Sequence, residues 1–343
     1  MQRDFHFYCI AVLANAAGFS SRDALTIAYA SQYVDDSTES ELMELNTEHG
    51  DMKFDPVRSA HIGLQSLDWS VQKRIYMPFH FLPSKPFRPP EQFSYMTEEG
   101  SEFALNLLDE AIKEPMDNYK RRLCRIGIAI HTYADSWSHQ HFSGRRNPEN
   151  NVENIEIFDE KEKKYKKLLW GNFYLDFAPQ IGHAEAGLLV DQGFQKLKWK
   201  FSSREENNQY IKRDNIIEFM QASESIYNWF RKVDKINFNV PLPFSAVSSK
   251  IQNLLSIKSA NLEKKCDKWR QNFGFMFNGE FYYNREKWRT EAIANNTNWD
   301  NFSPREWNQV QPFQAKNNFW DSLWVHFHRA ALLQRHFVLE NLP

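Results

Sequence analysis

At 343 residues the chain can bury one large core or two of ordinary size. Its 42 Lys and Arg against 44 Asp and Glu leave a formal charge of −2, which excludes a global basic field, so nucleic acid or anionic membrane would have to be held by a local site. Aromatic residues make up 15% while Gly and Pro number only 12 and 14, the composition of a packed globular protein rather than a disordered one.

Phe5 to Ala17 is apolar at nearly every position and predicts a buried helix stopped by Gly18, with His6 in its first turn. Ser20 or Ser21 caps a second helix that runs through Val34 to Asp35-Asp36-Ser37-Thr38. Two carboxylates at a helix C-terminus oppose the macrodipole and call for a cation or donor, which makes Asp35 and Asp36 candidate ligands. Glu44 to Phe54 reads as a small hairpin turning at His49-Gly50-Asp51. Helix resumes near Pro56 and carries His61. It then gives way at Tyr76-Met-Pro-Phe-His80 to a loop in which Pro83, Pro86, Pro89 and Pro90 exclude regular helix. His80 reads either as a rim residue or as an ordinary loop aromatic.

Glu98 to Glu114 predicts an amphipathic helix burying Phe103, Leu107, Leu108 and Ile112. Asp117 is placed to cap the next helix, whose apolar stripe is Leu123, Ile126, Ile130 and Ala134 and whose Gly127 would admit a neighbouring helix at close range. That helix carries His131-Thr-Tyr-Ala-Asp135-Ser-Trp-Ser-His139-Gln-His141 and is expected to end at Gly144. Spaced four apart, His131, Asp135 and His139 share one helical face, and imidazole nitrogens with a carboxylate oxygen form a ligand set for zinc. Arg145 to Lys167 reads as a solvated loop and helix face, with a lid over a site as the sharper alternative. The segment Gly182-His183-Ala-Glu185-Ala-Gly187, with Asp191 behind it, reads as a second ligand cluster.

Beyond Gly193 the ligand-like residues thin out, and helices are expected at Asn215 to Val233, Ala246 to Ile257, Ala260 to Phe273 and Asn318 to Leu342. His326 and His328, two apart on a helix, cannot share an ion. Cys9, Cys124 and Cys266 are isolated, no run reaches the ~18 apolar residues of a membrane span, and no secretory signal is convincing, so a cytoplasmic location with reduced thiols is expected. The fold class expected is all-α, mainly: residues 1–195 as a metal-binding helical core with a hairpin insertion, and residues 196–343 as a C-terminal helical extension packed on it.

The His131-x3-Asp135-x3-His139 and Asp135-x5-His141 spacings resemble the central motif of the zinc-dependent phospholipase C and single-strand nuclease superfamily. That superfamily's all-helical core carries, in order, an early His, an Asp after a helix, an isolated His, the HxxxD motif with another His, and a last His paired with a carboxylate. Here the same order is offered by His6, Asp35 or Asp36, His61, His131 with Asp135, His139 or His141, and His183. Asp4-Phe-His-Phe-Tyr8, Tyr33-Val-Asp-Asp-Ser37 and Gly182-His183 also resemble an uncharacterised bacterial family attached to it. Two departures are visible. Secreted members use the α-amino group of a processed N-terminal Trp as a ligand, whereas this chain starts with Met1. Gly187 also stands where the last carboxylate is usual, leaving that place to Glu185 or Asp191.

The resemblance implies one to three zinc ions, with Asp135 bridging, Asp35 or Asp36 orienting a water, and hydrolysis of a phosphoester. Lipid head group, nucleotide and single-stranded nucleic acid are the substrate classes it brings. Arg58 or Arg145 could clamp phosphate, and Trp69, Phe79, Phe81 and Phe87 could form an apolar rim for lipid. The competing expectation is a non-catalytic scaffold stapled by metal, with the C-terminal layer as a surface for a protein partner.

Overall fold

A computed structural model describes residues 1–39, 41–60, 67–86, 93–167, 181–202, 210–259, 261–294 and 311–343; His61 and Phe87 lie outside them. The chain opens with a π-type turn, Asp4–Cys9, that runs into α1, Ile10–Ala16. After Gly18, at φ +105°, Ser20 caps α2, Ser21–Asp36, by accepting the Asp23 backbone N–H at 3.1 Å. Strands β1, Met43–Thr47, and β2, Gly50–Phe54, form the expected hairpin, turning at Glu48-His49. A broken helix follows at Trp69–Val71, Gln72–Tyr76 and Met77–Phe79, its middle piece again π-type. Next come α3, Glu102–Ala111, and the long central α4, Tyr119–Ser138.

Two details of α4 differ from expectation. Asp117 falls in a 3₁₀ turn, Met116–Asn118, and the position before α4 is Asn118, which makes no side-chain cap. The helix also ends at Ser138 rather than Gly144, because His139 adopts a non-helical C-cap conformation and His141 turns left-handed at φ +72°.

The close approach at Gly127 is present. A Cβ placed there would lie 2.3 Å from the Ile27 carbonyl oxygen and 2.7 Å from the Ala30 Cβ, so α2 and α4 meet at backbone distance. On the other side of α4 packs α9, Leu323–Glu340, whose Gln334 amide donates to the Pro78 carbonyl (2.8 Å) and Thr132 Oγ1 (2.9 Å). Between them in sequence lie α5, Asn215–Lys232, α6, Ser248–Leu255, α7, Leu262–Phe273, and α8, Lys287–Ala292. The main hydrophobic cluster joins Phe5, Ile27 and Ile126 to Trp269, Trp324 and Val338, so the N-terminal helices and the C-terminal layer share one core.

The all-α expectation is corrected by two sheets. In the first, order β2-β1-β7, the short β7, Phe313–Gln314, pairs parallel with β1. The second is an antiparallel sheet, order β4-β3-β5-β6, built from β3, Val152–Asp159, β4, Lys164–Lys167, β5, Lys196–Phe201, and β6, Ile211–Asp214. The stretch from 145 expected as loop or helix face is therefore partly a β-hairpin. The physical reason is the period-two burial of Lys196-Leu-Lys-Trp-Lys-Phe201, whose apolar members join Phe81, Phe142 and Ile155 in a second core cluster. Lysines at every other position disguise that strand as a solvated segment.

Cys9, Cys124 and Cys266 are buried free thiols, and no helix among the described residues is long and apolar enough to cross a membrane. The α2–α4 contact gives a first prediction: Gly127→Ala should lower unfolding free energy by about 1–3 kcal/mol, as overpacking does. Chemical denaturation measures this, and an unchanged midpoint would mean that the helices can separate freely.

Candidate metal centre

The site lies where the C-terminal end of α2 meets the last turns of α4, a meeting that the Gly127 contact fixes. From α4 come His131 and Asp135, one turn apart, and from the end of α2 come Asp35 and Asp36. The two π-type turns supply or precede further ligands: His6 lies within Asp4–Cys9, and His80 follows Gln72–Tyr76 and the Met77–Phe79 turn. Such turns insert an extra residue into a helix and recur at functional sites.

His131 Nε2, His80 Nδ1 and Asp135 Oδ2 form a triangle with every edge 3.2 Å. Asp35 Oδ1 stands over it, 3.7 Å from His131 Nε2 and 3.9 Å from His80 Nδ1. A tetrahedral shell with bonds of ~2.0–2.1 Å separates its ligand atoms by about 3.3 Å, so the three triangle atoms have the spacing of ligands to one zinc ion, with Asp35 farther out on the cavity side. His6 Nε2 reaches the other oxygen of Asp135 at 3.1 Å, and its ring stacks on that of His131 at 3.9 Å. A separate group is formed by Asp191, with His139 Nε2 3.3 Å from Oδ1 and His183 Nε2 3.4 Å from Oδ2.

Backbone carbonyls set three of the imidazole tautomers. His80 Nε2–H donates to the Ser59 carbonyl, His139 Nδ1–H to that of His80 and His183 Nδ1–H to that of Gly187, each at 2.9 Å. A carbonyl can only accept, so the opposite nitrogen of each ring presents a lone pair to the cluster, as in the outer shell of metal sites. Burial holds His6 well below the usual histidine range, lowers His131 and brings His183 down to about 4, which keeps these rings neutral.

Burial would also keep Asp135 protonated, but its neighbours, His139 and the Met1 ammonium foremost, outweigh it and hold the carboxyl well below its ordinary range. Asp191 is held low in the same way. Asp35, where burial dominates, is pushed up to about 7. The buried Met1 α-amino group lies 2.6 Å from Asp135 Oδ1 and 3.1 Å from Asp191 Oδ1; burial opposes its charge, yet Asp135, Asp191 and Asp35 push it up to about 11. A lone ammonium thus faces a basin of acceptors. The Nδ1 atoms of His6 and His131 make no hydrogen bond among the described residues. Neutral His6, His131 and His183 with ionised Asp135 and Asp191 are in the protonation states that divalent metal requires, so these donors fit the zinc expectation.

A cavity of about 470 Å³ opens onto these groups, lined also by Gln32, Asp36, Leu188, Leu262, Tyr283 and the cations Arg3 and Arg285. The structure brings together His6, Asp35, His131, Asp135, His139 and His183, and adds His80, Asp191 and the Met1 amine. Asp36 lines the cavity but points to the C-terminal layer, accepting from the Tyr283 hydroxyl at 2.6 Å and the Gln32 amide at 3.1 Å. His141 belongs to none of the ligand groups found among the described residues. Glu185 accepts the Val152 N–H at 2.6 Å, which leaves the carboxylate beside His183 to Asp191.

Arg145 forks onto Glu149 (2.8 and 2.7 Å) and covers the Tyr95 ring, and neither it nor Arg58 lines the cavity. Phe79 and Phe81 are core, Phe81 stacking on His139, while Trp69 is exposed. His328 Nδ1 accepts the Val57 N–H, an inward structural role. Sequence reasoning undervalued His80, whose single usable signal was its order between Asp35 and His131. The Met1 amine had no signal in residue type at all.

Added zinc should raise the thermal midpoint of chelator-treated protein, because an ion that binds the folded state alone stabilises it. His80→Ala should remove one corner of the triangle and most of that gain. Differential scanning fluorimetry with elemental analysis reads both; equal midpoints with and without zinc would dismiss the site.

No curated protein and no solved structure matches this chain. A family model does, over residues 1–342, and the chain belongs to that family of unknown function, DUF6765.

Proposed function

We propose that this protein is a zinc-dependent phosphoester hydrolase. The observation that carries the reading is the 3.2 Å triangle of His80, His131 and Asp135 with Asp35 above it, open to a cavity rather than closed by a fourth histidine or cysteine. A structural zinc site is sealed by protein ligands, whereas a catalytic one keeps a position for water or substrate. The order His6, Asp35, His80, His131, Asp135, His139, His183, Asp191 also supports the resemblance to the phospholipase C and nuclease superfamily. In that order His80 takes the place of the isolated histidine and Asp191 that of the last carboxylate.

His80, His131 and Asp135 would hold one ion with its fourth position toward Asp35 and the cavity, His139, His183 and Asp191 a second, and His6 with Asp135 Oδ1, the oxygen that the Met1 amine also reaches, a third. Bound there, divalent metal would supply charge neutralisation on a phosphoryl oxygen and lower the pKa of a nearby water. The chain's own residues do the rest. Asp135 presents each oxygen to a different ligand group, so its carboxylate sets their separation. The water-orienting base is drawn from the Asp35–Asp36 pair, with Asp36 held on the cavity wall by Tyr283 and Gln32. Arg3 and Arg285 at the cavity wall favour an anionic substrate. Lipid head group, nucleotide and oligonucleotide all satisfy that chemistry.

The test is turnover by zinc-loaded protein of bis(p-nitrophenyl) phosphate, p-nitrophenyl phosphate, phosphatidylcholine and a short oligonucleotide. At least one should be hydrolysed, and Asp135→Asn should cut kcat/KM by roughly 10²–10³, as loss of a preorganised charge does. Asp36→Asn should lower kcat while leaving metal content unchanged. Full zinc occupancy with no hydrolysis across the panel would favour the metal-stapled scaffold instead.

A further inference from the structure

The four-stranded sheet has two unlike faces. Inward, Leu197, Trp199 and Phe201 pack with Phe81 and Phe142 behind His139. Outward, the register aligns Glu153 with Lys200, Glu156 with Lys198 and Lys167, Phe158 with Tyr165, Lys196 with Asp214, and Lys198 with Lys212. The face away from the metal cavity therefore carries five lysines, 167, 196, 198, 200 and 212, against three carboxylates. In a chain whose total charge is −2, this is a local basic surface.

Aromatic rings are set among these lysines. Lys198 Nζ lies 3.9 Å from the Tyr210 ring centroid and 5.6 Å from that of Tyr165, Lys200 lies 4.7 Å from Tyr210, and Lys196 lies 5.8 Å from Phe158. Phe158 and Tyr165 meet edge to face at 5.2 Å, and Tyr210 is 37% exposed. Lys198 is offset by Glu156 (3.0 Å) and Lys196 by both Asp214 (3.2 Å) and Glu160 of the β3–β4 turn (3.4 Å), whereas exposed Lys167 and Lys212 make no ion pair among the described residues. Rings thus stand on both sides of a central lysine row, across about 14 Å of sheet at ~4.7 Å per strand.

We propose that this outward face binds single-stranded nucleic acid. Bases stack on the rings that the sheet presents, while lysines between the rings meet the phosphates; stacking is sequence-tolerant because every base has a π-face. Charge complementarity selects a polyanion, and the rings select one with planar groups. A lipid surface fits less well, because the described residues of the face offer no protruding aliphatic side chain to insert. The surface is distinct from the cavity and does not depend on the hydrolase reading.

Fluorescence anisotropy of the full chain with labelled dT20 and rU20, in 50 to 300 mM NaCl, tests the proposal. Both oligomers should bind, more tightly than a duplex of equal length. The logarithm of affinity should fall with the logarithm of salt with a slope of about −2 to −3.5, as expected for three to five phosphate contacts. Tyr210→Ala should weaken binding roughly ten-fold at all salts. Lys167→Glu with Lys212→Glu should weaken it further and flatten the slope, with thermal midpoints unchanged. No binding at 50 mM NaCl, binding untouched by these substitutions, or tighter binding to phosphatidylserine vesicles than to dT20 would each overturn it.

Discussion

The concentration of negative charge at the junction of α2 and α4 is the constraint on which the rest of the architecture depends. Asp35 and Asp135 share His80 and His131 as neighbours, and Asp135 and Asp191 share the Met1 ammonium. Two like charges ~4 Å apart cost about 4 kcal/mol at an effective dielectric of ~20, so such a cluster persists only with cations among the carboxylates. The fold brings the groups together nonetheless. Helices touch through backbone at Gly127, two π-type turns re-aim His6 and His80, and carbonyls of Ser59, His80 and Gly187 fix ring orientation.

The C-terminal layer contributes to that arrangement from both flanks. Lys265 of α7 forms a buried ion pair with Asp4, at the head of the turn that carries His6. Tyr283 holds Asp36, Arg289 pairs with Glu39 at 3.2 Å, and Trp324 Nε1 donates to the Tyr33 hydroxyl at 3.1 Å, all around the end of α2. Removing either member of the Asp4–Lys265 pair would leave an uncompensated buried charge, so the two ends of the chain are bound to one another energetically as well as by packing.

What the sequence revealed follows from which signals are local. The four-residue spacing of His131 and Asp135 is a property of one helix and needs no tertiary knowledge; the same holds for the Gly127 contact and the Asp35-Asp36 terminus. His139 sits off the end of α4 yet stays in the cluster, so the helical spacing picked the residue while misplacing the helix end. His80 follows a π-type turn whose phase no 3.6-residue template reproduces, and Met1 contributes a backbone amine rather than a side chain. In the charged sheet, Arg145 to Lys167 reads from sequence as loop and helix face, and β5, which alternates lysine with buried apolar residues, carries no assigned element.

Ligands drawn from residues 6, 35, 80, 131, 135, 139, 183 and 191 have a further consequence, in time rather than in energy. Loops of this length must close before any two of them meet, and non-local pairings of this kind form late in folding. Among the described residues, no single short segment carries a whole candidate ligand group as a zinc finger does. The fold must therefore assemble the acidic basin before any ion could be held there.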